Sequence, residues 1–166
     1  MKIYFDLDGV LVDFDGGVRR LCKIEPVNLE KHTREEDDAM WDKVREVPHF
    51  YDLLEPNEEV VELFRRVHRR YGDDCQVLTG IPKAYRKIQN SAEDKRKWVA
   101  REIGEDVIVT AVYRSEKKNF INPAENCILI DDFSRTIREW GQNGGIGIRF
   151  RSAAQVEQEL KDYGVL

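Results

Sequence analysis

Five short apolar runs, Lys2–Leu7, Cys75–Thr79, Val107–Tyr113, Asn126–Asp131 and Ile146–Phe150, alternate along the chain with amphipathic helical stretches. This alternation is the strongest constraint on the fold. Strands of this kind, each followed by a helical return, pair in parallel and place helices on the faces of the sheet. Glu58–Tyr71 sets Val60, Val61, Phe64, Val67 and Tyr71 on one helical face, the 3.6-residue period of a core-facing helix. Ser91-Ala-Glu-Asp94 has the pattern of a capping box that opens the helix carrying Trp98, Val99 and Ile103, with Gly104 suited to its C-terminal end. Phe133–Gln142 and Ser152–Tyr163 supply the last helices.

Residues 17–54 interrupt the rhythm. Pro26, Pro48 and the acidic run Glu35-Glu36-Asp37-Asp38 separate short helical pieces in which Ala39, Met40, Trp41 and Val44 are the apolar positions. A segment inserted just after the first strand is placed to cover the C-terminal edge of a parallel sheet, where open α/β sheets bind ligands. The expected organisation is therefore a core made of residues 1–16 and 55–166 and a small helical cap over residues 17–54. The chain of 166 residues has room for one such domain with its insertion.

The strand ends carry the chemistry. The first ends in Asp6-Leu7-Asp8-Gly9, the second in Thr79-Gly80, and the run Cys127-Ile128-Leu129-Ile130 in Asp131-Asp132. In a parallel sheet all three ends share one edge, so Asp6, Asp8, Asp131 and Asp132 converge there. Four carboxylates coexist only around a cation or with shared protons. Oxygen ligands without His or Cys point to Mg²⁺. In an extended strand residues i and i+2 face one side, and Gly9 permits a sharp turn immediately afterwards. Two such acids divide labour: one attacks as a nucleophile and the other exchanges a proton with the leaving group. Phosphate-monoester hydrolysis, among the slowest uncatalysed reactions, suits this pairing. The Thr79 hydroxyl, the Gly80 amide and one Lys would supply donors for the phosphoryl oxygens. Between Lys83 and Arg101 seven Lys or Arg residues stand against two acids, Glu93 and Asp94, and one functional Lys is expected among them.

The net charge of −5 argues against general nucleic-acid or anionic-membrane binding. No apolar run approaches the length of a membrane span. Asp6 interrupts the N-terminal apolar run after three residues, which leaves no signal-peptide core. Cys22, Cys75 and Cys127 are dispersed, without a C-x-x-C pair, and read as reduced thiols in a cytoplasmic protein. Arg65-Arg66-Val67-His68-Arg69-Arg70 reads as a solvated helix end. His32, His49 and His68 are scattered, with no partner assigned. Gly144-Gly145-Ile146-Gly147 leads into a strand and reads as a tight turn, not a phosphate cradle.

Asp6-Leu7-Asp8-Gly9-Val10, Thr79, a following helix Lys and Ile130-Asp131-Asp132 together resemble the four ordered motifs of the haloacid dehalogenase (HAD) superfamily of phosphatases. The match runs over about 130 residues and implies a Rossmannoid three-layer sandwich with a central parallel sheet. Within that superfamily the chain is similar to the 5′(3′)-deoxyribonucleotidases, a family of 5′-nucleotidases. Asp13-Phe14-Asp15-Gly16-Gly17 extends the first motif, FYDLLEPNEEVVELF resembles the re-entry from the cap, and Lys95-Arg96-Lys97-Trp98-Val99 is similar to the family's Lys-x-x-Trp-Val. The resemblance implies a Mg²⁺-dependent hydrolase with Asp6 as nucleophile and Asp8 as acid/base. It implies Asp6, Asp8 (through its backbone carbonyl) and Asp132 around the metal, with Asp131 in support. Thr79, Gly80 and Lys95 would hold phosphate, Phe14 would stack on a nucleobase, and the substrate would be a nucleoside monophosphate.

The sequence also departs from that family. Its cap is shorter and lacks an adjacent Phe-Trp pair, Trp41 matches a packing residue, and Thr79-Gly80-Ile81-Pro82 stands where Thr-Ser-Pro is usual. A second Lys falls at Lys117 or Lys118. The alternatives are a phosphatase for another small metabolite or a nucleic-acid 3′ phosphate, and a phosphate- or metal-binding regulatory domain. A receiver-type domain, however, carries its phosphorylated Asp on a later strand and has no cap.

Overall fold

The computed structural model describes residues 1–166. Five parallel strands, β1 Lys2–Phe5, β2 Cys75–Gly80, β3 Val109–Val112, β4 Cys127–Asp131 and β5 Ile146–Arg149, form one sheet in the order β3-β2-β1-β4-β5. β1 lies at the centre, with Ile3 opposite Cys75 on one side and Ile128 on the other. The chain winds outward from β1 to β3 and then returns to β1's other side. The crevice between β1 and β4 is the switch point at which such sheets bind ligands.

Alternate strand residues feed two cores, as the two-residue period of a strand requires. Ile3, Phe5, Cys75, Val77, Ile128 and Ile130 face the larger one. It is completed by α3 (Glu58–Tyr71), α4 (Ser91–Glu102) and α6 (Ala153–Asp162) through Phe64, Val67, Trp98, Val156 and Leu160. Tyr4, Leu78, Cys127 and Leu129 face the smaller core, closed by Trp140 of α5 (Ser134–Gln142). The result is a three-layer α/β sandwich of the Rossmannoid type.

Between β1 and α3 the chain forms a short helix α1 (Phe14–Gly17), a single π-helical turn over Val18–Cys22, α2 (Arg34–Arg45) and a 3₁₀ turn over Phe50–Leu53. Thr33 and Glu36 make a reciprocal capping box that opens α2. Met40, Val44, Phe50, Tyr51 and Leu54 from this stretch join the larger core, so it packs on the sheet domain through one continuous apolar cluster.

Several boundaries differ from the sequence reading. β1 stops at Phe5 because Leu7 and Val10 close a turn: Val10 N and Val12 N both donate to the Leu7 carbonyl. β3 is trimmed to Val109–Val112, and β5 ends at Arg149. The expected capping box at Ser91 is absent. Asn90 starts α4 in the left-handed region, φ 59°, with no side-chain cap bond, and Asp94 turns instead to His49. Ile103 caps the other end of α4, and Gly104 follows it, its amide reaching the Val99 carbonyl. Cys22, Cys75 and Cys127 are free thiols, and no helix is long and apolar enough to cross a membrane.

Candidate active site

The ends of β1, β2 and β4 meet at the floor of a cavity of about 460 Å³, whose other walls come from α1, α2 and the loop before α2. Asp6 follows β1 directly, and its amide still donates to the Ile130 carbonyl of β4, which ties it to the sheet edge. From there a carboxylate oxygen each of Asp6, Asp131 and Asp132 lies within 4.8 Å of the others, a group that can hold a metal ion. Asp131 is committed on both sides. Its Oδ1 accepts from the Phe133 amide at 2.8 Å and its Oδ2 from Lys117 Nζ at 2.7 Å. Asp132 packs against Gly9, where a β-carbon would come 2.1 Å from Asp132 Oδ2. With φ of +73° as well, Gly9 is required by both space and backbone conformation.

Asp6 and Asp8 both line the cavity, but a turn after β1 and not an extended strand sets their relation. Asp8 lines the same cavity but stands outside the triad, its Oδ2 accepting from Lys95 Nζ at 2.5 Å. Lys95 is fully buried. It also donates to Thr79 Oγ1 at 3.1 Å and to the Gly80 carbonyl at 2.6 Å, and it lies 4.3 Å from the Tyr51 ring centre. Three acceptors exhaust an ammonium's donors. Thr79 is equally buried, and neither Thr79 nor Lys95 lines the cavity, whereas Gly80 does. The cations that line it are Lys117 and Arg114. Lys117, 2% exposed, sits on the 3₁₀ turn Arg114–Phe120, 2.9 Å from Asp6 Oδ1 and 2.7 Å from Asp131 Oδ2. Its place was legible only as one of two adjacent lysines; a 3₁₀ turn there turns Lys117 inward and leaves Lys118 exposed. Arg114, which the sequence reading passed over, pairs with Glu139 at 2.8 Å and carries no motif signal.

Four carboxylates, Asp6, Asp8, Asp131 and Asp132, face two ammonium groups, Lys95 and Lys117. The two charges left over match one divalent cation. Asp6 Oδ1 and Asp8 Oδ1 are buried without a hydrogen-bond partner; for Asp6 the nearby Lys117 is within ion-pair range but not aligned to donate. All-oxygen donors with orphaned lone pairs suit a hard cation such as Mg²⁺. The titration of the site agrees. Burial, then the neighbouring Asp6, Asp131 and Asp8 charges, push Asp132 up to about 8. Burial raises Asp131 to about 6 even against the attraction of Lys117. Burial likewise raises Asp8, with Lys95 opposing. Lys117 loses solvation, but Asp131 and Asp6 outweigh that and hold its pKa above the ordinary value.

The opposite wall is aromatic, with an acidic rim. Phe14 lines the cavity, its ring centre 5.9 Å from Trp41 and 5.7 Å from Phe50. Trp41, matched to a packing position by its sequence, is half-buried and reaches the cavity, its Nε1 donating to Asp37 at 3.0 Å. Asp13, Asp15 and Asp37 also line this side. Asp13 accepts from the Gly16 amide and starts α1; its carboxylate and Leu54 occupy the space where β-carbons on Gly16 and Gly17 would lie.

No family model and no curated protein matches the chain. Among solved structures it is similar to a HAD family enzyme from Bacteroides thetaiotaomicron, in complex with magnesium and inorganic phosphate. The identity is 14% and the TM-score 0.44, over 90% of this chain and 93% of that one. A likeness this distant assigns no residue its role.

Proposed function

We propose that the chain is a Mg²⁺-dependent phosphomonoesterase of the HAD superfamily. The observation that carries this reading is Asp6 at the cavity floor, flanked by Lys117 and grouped with Asp131 and Asp132. Asp6, Asp132 and the Asp8 backbone would hold the metal, and Asp131, saturated by Lys117 and the Phe133 amide, would support them. Bound there, Mg²⁺ supplies positive charge to the phosphoryl oxygens and keeps the acids ionised. Asp6 attacks phosphorus, the bond to the ester oxygen breaks, and the leaving oxygen takes a proton from Asp8. Asp8 then accepts a proton from water, which attacks the aspartyl-phosphate; the bond to Asp6 breaks and inorganic phosphate leaves. Lys117 and Arg114 take the phosphate-facing role that the family resemblance gave to Lys95 and Thr79. Lys95 holds Asp8 and the end of β2 in place. Residues 17–54 act as a cap on the core of residues 1–16 and 55–166.

The finer reading is a 5′-nucleotidase for nucleoside monophosphates, supported by the size of the cavity and by Phe14 and Trp41 in its wall, where a base can stack. A second reading, a phosphatase for another small metabolite, is favoured by the rim carboxylates Asp13, Asp15 and Asp37, which suit a donor-rich or cationic leaving group and repel a nucleic-acid end. A panel of ribo- and deoxyribonucleoside monophosphates, phosphorylated amino alcohols and an aryl phosphate, assayed for Mg²⁺-dependent phosphate release, separates them. No release from any of these by folded, metal-loaded protein would overturn the enzyme reading; release from the aryl phosphate with indifference to nucleotides would overturn the nucleotidase alone.

A further inference from the structure

A second cavity, of about 410 Å³, lies where the end of α2 and the segment after it meet the loop before α4. It is almost as large as the first, and nothing in the proposed phosphatase chemistry uses it. Three basic side chains from two stretches line it, Arg45 and His49 from one and Lys87 from the other, and no carboxylate does, in a chain whose net charge is −5. Val47 and Ile88 give it an apolar wall.

The basic groups are not consumed by neighbours in the same degree. Lys87 makes no ion pair. Arg45 pairs with Asp42 at 3.0 Å and lies 3.5 Å from the Arg86 carbonyl, contacts that leave part of the guanidinium's five donors free. The His49 side chain is 54% exposed, and its Nδ1 is held 2.9 Å from Asp94. Asp94 is 1% exposed, and its other oxygen has no partner. This buried carboxylate fixes the ring and leaves Nε2 to serve a ligand. Asn90, the residue before α4, also lines the cavity and makes no side-chain cap bond to the helix. His49, Lys87 and Asn90 have φ of 54°, 54° and 59°, three of the four non-glycine residues of the chain in the left-handed region.

We propose that this cavity binds a phosphate-class oxyanion, free or carried on a small organic molecule, through Arg45, Lys87 and His49. Its occupancy also has a mechanical consequence. Arg86, next to Lys87, donates to Asp37 and Asp38 of α2 at 2.6 and 2.5 Å. An anion shared by Arg45 and Lys87 therefore ties together the same two elements that this pair of bridges joins, and holds α2 in place over the first cavity. The site stands independently of the phosphatase reading.

The test follows backbone amide shifts in ¹⁵N-labelled protein without metal, titrated separately with inorganic phosphate and with adenosine monophosphate. Amides of Lys87, Gln89 and Asn90 report the second cavity; those of Gly9, Asp132 and Phe133 report the first. Saturable shifts at 87–90, weakened at least tenfold in the Arg45→Gln/Lys87→Gln double variant, are the expected result whether or not the first cavity responds. Resonances of Gly9, Asp132 and Phe133 at their wild-type positions, together with an unchanged circular dichroism spectrum, show that the variant folds. Equal affinity for the two probes identifies free phosphate as the ligand, and tighter binding of the nucleotide identifies an ester. Unsaturable shifts at 87–90, or shifts equal in wild type and double variant, would overturn the proposal whatever the first cavity does.

Discussion

At the sheet edge, Lys117 and Lys95 are buried against carboxylates at the ends of β1 and β4: Lys95 donates to Asp8, Thr79 and Gly80, and Lys117 donates to Asp131 with Asp6 in ion-pair range. Across the same cavity the inserted segment is tied down differently. Arg86 holds Asp37 and Asp38. On the other side Glu30 reaches from the loop before α2 to the amide and hydroxyl of Ser134 and to Arg149. The two regions carry similar numbers of charges, but the floor pairs are almost fully buried, the Arg86 pairs are partly buried and the Glu30–Arg149 pair is exposed. Removing one partner of a buried pair strands a charge and costs several kcal/mol, whereas an exposed pair trades with water for a fraction of that. The floor is thus held by the more deeply buried charges and the roof by those nearer water, a division that suits the proposed phosphatase.

The largest effect that would test this contrast is on turnover. Asp6→Asn should lower Mg²⁺-dependent phosphate release at least about a thousandfold, roughly 4 kcal/mol of lost transition-state stabilisation, with the unfolding midpoint preserved; full activity would remove Asp6 as nucleophile. Next, Lys117→Met leaves Asp6 and Asp131 buried together without a counter-charge, and urea unfolding should show a loss of about 3–5 kcal/mol. A loss under ~1 kcal/mol would mean that water from the cavity already solvates these acids.

The third prediction concerns pH. Asp131 and Asp132, raised to about 6 and about 8, keep protons in the folded protein that the unfolded chain loses near pH 4. The metal-free protein therefore loses stability as pH rises from about 4 to about 8, by at most about 1.4 kcal/mol per pH unit for each proton retained. Mg²⁺ must displace those protons, so its affinity should climb over the same range. Unfolding at pH 5 and pH 8, with and without Mg²⁺, checks both; Asp132→Asn should flatten the upper part of the slope, and a flat wild-type profile would refute the assignment.

The smaller effects belong to the roof. Arg86→Ala removes a largely buried guanidinium from two carboxylates and should cost about 1–3 kcal/mol of stability, raise hydrogen exchange across α2 and act on KM more than on kcat. Glu30→Gln, which keeps part of the contact with Ser134, should cost only a few tenths of a kcal/mol. If either variant destabilises the protein as much as Lys117→Met does, the distinction between floor and roof is lost.

The alternation of apolar runs and amphipathic helices was enough to place all five strands and the parallel sheet, because a two-residue and a 3.6-residue period are written directly in which positions are apolar. The convergence of Asp6, Asp131 and Asp132 followed from the same reading, since parallel strands bring their C-terminal ends to one edge. What the sequence by itself could not decide was which way each side chain turns once it gets there. One turn, closed through Leu7 and Gly9, parts Asp8 from Asp6 and sends it to Lys95. A 3₁₀ turn selects Lys117 over Lys118. His49 finds Asp94 across 45 residues. These are choices among contacts distant along the chain, and only the packing of the whole decides them, because each depends on which buried charge would otherwise stand unpaired.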